Sequence, residues 1–332
     1  MEIKTTAFLV ALLAASPYIL ELTTRAAYPV PAPGGGVVLT GASTGIGAHA
    51  AHSLAEAGFL VFAGVRKEAD GEALKANAPT PEAREHIVPI ILDVTKQDQI
   101  DAAVKIVNST LTAKGGVPLV GLVNNAGVGG GMKPVEFENM EDLRNLFDVN
   151  YFGAVSTTKA FLSLLRDGKG RVINISSMAG LFSAPMMMSY CGSKFALEAF
   201  SDTLRVEVQK HGVSVSVVEP AYVQSAIFGK NDAAMAKIKE RAGSQIDKLY
   251  GHVSARPEYF QQCVAKASPP SVTSDAILHA LTSKYPQTRY VVANVDGKPA
   301  KVLGWVVWLL NDRLRDRMVV RSVIDRSKAR RV

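Results

Sequence analysis

Tyr190 and Lys194 stand four residues apart in a run with helical periodicity, so both side chains leave one face of one helix. A phenol titrates at about 10, too high for efficient proton transfer at neutral pH. A neighbouring ammonium favours the phenolate and draws the pair toward the working range of general acid–base chemistry. Upstream, Ser177 follows an apolar run and could donate its hydroxyl hydrogen to a substrate oxygen; Ser176 is the adjacent candidate. Asn150, in Asp148-Val149-Asn150-Tyr151, could hold a water behind Lys194 for a proton relay; taken alone, it is a polar residue that bends a helix. A proton donor, its tuner and a carbonyl polariser together suit redox chemistry on an alcohol or ketone, with Tyr190, Lys194, Ser177 and Asn150 as the catalytic set.

Chemistry of that kind needs a hydride carrier. The stretch Thr40-Gly41-Ala42-Ser43-Thr44-Gly45-Ile46-Gly47 has the composition of its seat. It directly follows the apolar run Val37-Val38-Leu39, which puts Gly41, Ser43, Gly45, Ile46 and Gly47 on a turn between a strand and a helix. Glycines let the backbone approach a pyrophosphate, and a helix N-terminus offers free N–H groups and a positive dipole end. The spacing is G-x-x-x-G-x-G with no Lys-Ser/Thr after it, which disfavours a nucleoside-triphosphate loop. An acid at the end of the second strand would bind the ribose 2′-hydroxyl and select NAD. Here that end reads Ala63-Gly64-Val65-Arg66-Lys67, with no acid. Arg66 is placed to pair with a 2′-phosphate, so NADP(H) is expected in preference to NAD(H). Asp93 and Val94, after the third strand, add to this site; Asp93 could bind the adenine amino group or simply cap its own turn.

The elements that must carry these residues are legible as apolar runs alternating with helical patterns. Strands are expected at Val37–Leu39, Phe59–Ala63, Val88–Leu92, Leu119–Val123, Arg171–Ile175, Val213–Val218 and Arg289–Val292. Helices are expected at Ala48–Ala57, Gln97–Leu111, Met140–Leu165 and Ser189–Lys210. This alternation predicts an α/β fold, a Rossmann-type doubly wound parallel sheet of about seven strands covered on both faces. Residues 230–270 are polar and mixed and read as a helical insertion. The chain of 332 residues, 48% hydrophobic and 20% charged, suffices for one such catalytic domain, placed at 37–296. Two cysteines and six scattered histidines give neither a disulfide framework nor metal-ligand spacing.

The two ends differ from the core. Residues 1–27 contain an uncharged run from Thr5 that reaches Glu21 and is interrupted by Pro17. Three readings stand: a membrane anchor, a cleaved signal or transit segment, and a buried helix. Residues 28–36, rich in Pro and Gly, read as a linker. In the tail, 297–332, ten Lys/Arg face three Asp, which accounts for the whole net charge of +7. The apolar run Val302–Leu310 holds both tryptophans of the chain beside Arg313, Arg315, Arg317 and Arg321, a pattern suited to a membrane interface or to a helix packed on the domain. No zinc-finger spacing or aromatic RNA-binding motif accompanies the cations, so no nucleic-acid partner is expected.

Taken together, the motifs resemble the short-chain dehydrogenase/reductase family from about Gly34 to Asn294. The resemblance rests on the glycine turn, on Asn124-Asn125-Ala126-Gly127, and on Asn150, Ser177, Tyr190 and Lys194; the family's spacing of thirteen from serine to tyrosine selects Ser177 over Ser176. It implies cofactor contacts from Asn125, Ala126, Gly127, Tyr190, Lys194, Pro220, Val223 and Ser225, and a homodimer or homotetramer. After the sixth strand the family's Pro-Gly is here Pro220-Ala221, a small change. The run Tyr190–Arg205 is similar to retinol and hydroxysteroid dehydrogenases, several of them membrane-anchored, which implies a membrane location such as the endoplasmic reticulum; cleavage of the N-terminal segment would imply a secretory or organellar one. Between Ser177 and Tyr190 lie Leu181, Phe182, Pro185, Met186, Met187 and Met188, an adaptable apolar wall for a lipophilic substrate or else packing. A reductase of carrier-bound acyl chains and a non-catalytic NADP(H) sensor are the alternatives, the latter disfavoured because Tyr190 and Lys194 are both present.

Overall fold

Successive residues of a strand face opposite sides of a sheet, and here both sides are apolar. Val37, Leu39, Val61 and Ala63 point to one face, and Val38 and Phe62 between them point to the other. A sheet apolar on both faces must be covered twice. The computed structural model, which describes residues 24–225, 245–250 and 257–323, shows that arrangement. All seven expected strands form: β1 (Gly36–Thr40), β2 (Leu60–Val65), β3 (Ile87–Ile91), β4 (Leu119–Asn124), β5 (Arg171–Ile175), β6 (Ser214–Pro220) and β7 (Arg289–Val292). They make one parallel sheet in the order β3-β2-β1-β4-β5-β6-β7. The order reverses between β1 and β4, and the carboxyl ends of the strands on either side of that point open a crevice.

On one face lie α1 (Gly45–Glu56) and, further along the chain, Ser271–Thr282, through Ala50, Leu54, Ile277 and Leu281. The other face is covered by Gln97–Ala113, Gly153–Asp167 and the long helix Met188–Val208, through Val107, Leu111, Phe161, Leu165 and Leu204. Between strands and helices these comprise α2 (Glu68–Ala76), α3 (Pro81–His86), α4 (Gln97–Ala113), α5 (Met140–Phe147), α6 (Gly153–Asp167) and α7 (Met188–Val208). The insertion contains α8 (Gln245–Tyr250) and α9 (Pro257–Ala265), followed by α10 (Ser271–Thr282).

The expected helix at 140–165 is divided. A turn of π-helix, Asp148–Phe152, separates α5 from α6 and contains Asn150. Such a turn marks a place where side chains outside the helix compete for the local geometry. Helix α10 had no clear sequence signal, since its apolar face is short and follows Pro269-Pro270. After β7, Asp296-Gly297 forms a tight hairpin turn, with φ of +49° and +77°, pairing Asn294–Val295 with Lys298–Pro299. It leads into α11 (Ala300–Leu309) and α12 (Asp312–Val323).

Buried amides and hydroxyls lock the sheet to the helices that carry the site. Asn124 Nδ2 donates to Thr158 Oγ1 at 2.9 Å and to Asn174 Oδ1 at 2.8 Å; Asn174 Nδ2 donates to Ser201 Oγ at 2.8 Å. This chain ties β4 to α6 and β5 to α7. The proline-rich stretch before β1 is also held down: Arg171 donates to the carbonyls of Pro29 and Ala280, at 2.8 and 2.9 Å. The membrane-anchor reading concerns residues 1–27, of which 1–23 lie outside the described residues. Among the described residues no helix is long and apolar enough to cross a membrane.

Candidate active site

Thr40 and Asn125 join the glycine turn to the next strand. Thr40 Oγ1 accepts from the N–H groups of Asn125 and Ala126, both at 3.0 Å. Asn125 Nδ2 donates to the carbonyls of Thr40 and Gly41 at 3.0 and 2.9 Å. Gly41 and Gly45 take φ of +67° and +59°, a region that favours glycine. A Cβ on Gly47 would run into the Gly41 carbonyl and the Asn125 amide. Thr44 stands at the N-cap of α1 without a side-chain hydrogen bond, so the first N–H groups of this helix face the crevice unclaimed by a cap. Ser225 comes down on the turn, 3.3 Å from where a Cβ on Gly45 would stand.

From this turn a cavity of about 690 Å³ runs along the carboxyl edge of the sheet. Gly41, Ser43, Gly45, Ile46 and Gly47 form one end, with Arg66, Asp93 and Val94 beside them. Asn125, Ala126 and Gly127 form the floor, with Pro220, Val223 and Ser225 along one side. Ser177, Tyr190 and Lys194 line it as well. A dinucleotide needs an anion seat, a close backbone approach and a long groove, and this arrangement has all three. Arg66 is exposed at the lip. The Asp93 carboxyl accepts from Thr95 N and Thr95 Oγ1 at 3.0 and 2.8 Å. Burial pushes its pKa up, but the Thr95 hydrogen bonds, Arg66 and Lys96 together hold it below the usual value.

Helix α7 presents Tyr190 and Lys194 to the cavity on one face, as their spacing requires. Lys194 Nζ donates to the Ile175 carbonyl at 2.9 Å and lies 5.7 Å from the centre of the Tyr190 ring. Ser177 caps the short turn Met178–Gly180, accepting from Ala179 N at 3.1 Å, and donates to the Pro220 carbonyl at 3.3 Å. Its hydroxyl stands near that of Tyr190 and acts to favour the phenolate. The neighbouring Ser176 hydroxyl is buried against Glu198 instead, which separates the two serine candidates. Burial lowers the Lys194 pKa to about 8, with Glu198 acting against the fall. Burial raises the Tyr190 pKa, partly offset by Ser177. The expected lowering of the phenol is not reached in the chain itself, where burial dominates and Lys194 Nζ donates to the Ile175 carbonyl.

Asn150 lies behind this group, buried in the π turn. Its Oδ1 accepts from Val128 N at 2.8 Å; its Nδ2 donates to Val128 O at 3.0 Å and to Ser193 Oγ at 3.1 Å. A Cβ on Gly127 would lie 3.5 Å from Asn150 Oδ1 and 3.8 Å from Lys194 Nζ, so the two side chains are neighbours. The amide is engaged with the Val128 loop and α7, and it braces the loop that floors the cavity.

Residues 36–236 match the family model described as short chain dehydrogenase. The chain is a short-chain dehydrogenase. It is 36% identical to mitochondrial D-beta-hydroxybutyrate dehydrogenase of Mus musculus over 269 residues, covering 78% of this chain and 77% of the relative. It is 34% identical to human 17-beta-hydroxysteroid dehydrogenase type 6 over 265 residues (76% and 79%) and 33% identical to rat retinol dehydrogenase 7 over 262 residues (76% and 79%). Among solved structures, a short-chain dehydrogenase from Streptomyces avermitilis is 27% identical with a TM-score of 0.64, covering 86% of this chain and 95% of that one. An enzyme from Burkholderia phymatum in complex with NAD shares the fold, with a TM-score of 0.67 at 21% identity over the same shares. The chain is thus a nicotinamide-dependent oxidoreductase acting on CH–OH groups.

The outer wall of the dehydrogenase cavity differs from the sequence expectation. Phe182, Pro185 and Met187 line it, but Met186 is buried with φ of +68°, and its carbonyl accepts from Lys133 N at 2.8 Å. Leu181 packs toward Gly304 of α11. Part of the expected methionine wall is therefore packing. The rest of the wall comes from the C-terminal helices: Val302, Leu303 and Val306 of α11, and Met318 and Val319 of α12. These five residues were not anticipated as part of the site. Their only sequence signal was the all-round apolar character of α11, which suits a helix wanted on two sides.

Proposed function

We propose that this dehydrogenase interconverts an alcohol and a ketone or aldehyde on a lipophilic substrate, of steroid or retinoid kind, with NADP(H) in preference to NAD(H). One observation carries this reading: Ser177, Tyr190 and Lys194 line one cavity with the glycine turn and with a wall of Phe182, Met187, Leu303 and Val306. The 17-beta-hydroxysteroid and retinol dehydrogenase relatives support the substrate class by their names. The name D-beta-hydroxybutyrate dehydrogenase points instead to a carboxylate substrate, and Lys298 is a cation that lines the same cavity.

The turn Gly41–Gly47 and the start of α1 would hold the pyrophosphate, and Arg66 the 2′-phosphate. The nicotinamide, when bound, supplies or accepts the hydride. Ser177 and Tyr190 hold the substrate oxygen by hydrogen bonds from their hydroxyls. In reduction Tyr190 hands its proton to that oxygen; burial keeps the phenol protonated for the task. Lys194 supplies positive charge beside the phenol as it loses the proton. Its ammonium form is present below about pH 8 and is lost above it.

The reading extends to where the substrate comes from. Trp308 of α11 is 71% exposed, and Val302, Trp305 and Leu309 are exposed around it, while Arg313 and Arg317 stand exposed on α12. Aromatic and cationic side chains together suit a membrane interface. The same helices line the cavity, which supports entry of a lipophilic substrate from a membrane surface.

Three outcomes are expected. Tyr190→Phe should lower kcat for reduction at least about 100-fold while NADPH still binds, and wild-type reduction should decline as pH rises through about 8; wild-type turnover in the variant would refute the assignment of the acid. Arg66→Asp should shift the ratio of kcat/KM for NADPH over NADH toward NADH by tenfold or more, of order the effect of losing one charge-assisted pair; an unchanged ratio would mean that another group reads the phosphate. Both tryptophans lie on α11, so vesicles of phosphatidylcholine and phosphatidylserine with brominated acyl chains should quench the fluorescence of the full chain. Binding to the vesicles without quenching would place the contact elsewhere on the chain.

A further inference from the structure

Arg289, on β7, gathers carboxylates from two other elements. Its Nη2 donates to Glu198 Oε2 at 3.1 Å and to Asp202 Oδ2 at 2.9 Å, both on α7. Its Nε lies 3.2 Å from Glu219 Oε1 on β6. Asp202 also accepts from Arg205 at 2.6 Å. Glu219 is fully buried and Glu198 nearly so, and neither lines the cavity. Buried carboxylates are costly, and the reaction described above does not use these two.

Each nevertheless abuts the reacting groups. Glu198 is one helical turn from Lys194 on the same face of α7. Both its carboxyl and the hydroxyl of Ser176, the residue before Ser177, are buried beside Gly180. A Cβ on Gly180 would stand 2.8 Å from Ser176 Oγ and 3.1 Å from Glu198 Oε1, so the turn capped by Ser177 packs directly on this acid. Glu219 precedes Pro220, whose carbonyl accepts from Ser177. The Arg289 cluster thus supports Ser177 from both directions.

We propose that Glu198, oriented by Arg289, is a positioning residue: it braces the turn that carries Ser177 and keeps the neighbouring Lys194 in its ammonium form. The inference rests on the reading of Tyr190 and Lys194 as the reacting pair. Around Lys194 stand the Ile175 carbonyl, the Tyr190 ring, the Asn150 amide and, as the nearby charge, Glu198. Around Glu198 stand Lys194 and Asp202 on its own helix, Ser176 at the end of β5, Glu219 on β6 and Arg289 on β7. Burial raises Glu198, with Ser176 and Arg289 acting to keep it ionised. Burial and then the Glu198 charge push Glu219 well above the usual carboxylate range. Of the two acids, Glu219 is pushed further toward its neutral form, while Glu198 has Arg289 Nη2 at 3.1 Å to favour its charge.

The test is reductive methylation of Lys194 by formaldehyde and cyanoborohydride as a function of pH, read by mass spectrometry on the full chain, beside kcat for reduction. Only the free amine reacts, so the midpoint reports Lys194 without requiring turnover. The wild-type midpoint is expected at about 8. Glu198→Gln should move it down by about one unit, the usual scale for loss of a close opposite charge, and lower kcat about tenfold. Glu198→Asp should restore the midpoint more fully than kcat, because it keeps the charge and shortens the brace. Glu219→Gln, a near-isosteric change of an acid that burial pushes toward its neutral form, should leave the midpoint in place or raise it, and it decides the matter if Glu198→Gln does not fold. An unmoved midpoint in Glu198→Gln, or a lowered one in Glu219→Gln, overturns the proposal. Full turnover in Lys194→Met would instead overturn the reading of the reacting pair, whatever Glu198 does.

Discussion

The interlock between Thr40 and Asn125 is the constraint on which the site depends. Four hydrogen bonds of 2.9 to 3.0 Å, two accepted by the Thr40 hydroxyl and two donated by the Asn125 amide, fasten the glycine turn to the end of β4. The turn ends β1, and β1 and β4 are the strands between which the order reverses. The crevice is therefore pinned at its origin. Beyond β4, the Asn124–Asn174–Ser201 chain carries the same rigidity to α7, the helix of Tyr190 and Lys194. The glycine turn and the Tyr190–Lys194 pair come from segments some 150 residues apart in sequence, yet buried polar groups set their separation.

Burial then sets the electrostatics. A phenol and an ammonium are placed in the same low-dielectric corner, where burial favours the neutral form of each. The phenol is thereby kept protonated, the form that the proposed reduction would use. The ammonium is weakened to about 8, which reduction does not require, and the structure opposes that loss with the Ile175 carbonyl and Glu198. A centre tuned in this way responds to charges just outside the cavity as well as to the groups lining it.

The sheet was legible in the sequence because a doubly covered parallel strand carries apolar residues on both of its faces, a signal strong even over five residues. All seven strands were legible for that reason, and the glycine turn because its backbone tolerates little else. Other features depend on contacts that periodicity does not encode. Ser176 and Ser177 are adjacent and identical in type, and the packing of Glu198 against Ser176 is what separates them locally. Asn150 could be read either as a water holder or as a polar residue that bends a helix, and its partners Val128 and Ser193 come from two other segments that its own sequence context does not reveal. Helices α11 and α12 line the cavity because the hairpin at Asp296-Gly297 returns the chain across it, a turn whose Asp-Gly signal went unread.

The central claim is that the groups gathered at the end of β5 and on α7 guide hydride chemistry on a lipophilic carbonyl. Its most direct test is isotope transfer. The full chain would be incubated with NADPH fully deuterated at C4 of the dihydronicotinamide, together with retinaldehyde or a 17-ketosteroid, and the products read by mass spectrometry. The account predicts one deuterium on the carbinol carbon of at least one product, formed faster than with equally labelled NADH. Bound NADPH with no deuterium transferred to either compound would contradict it.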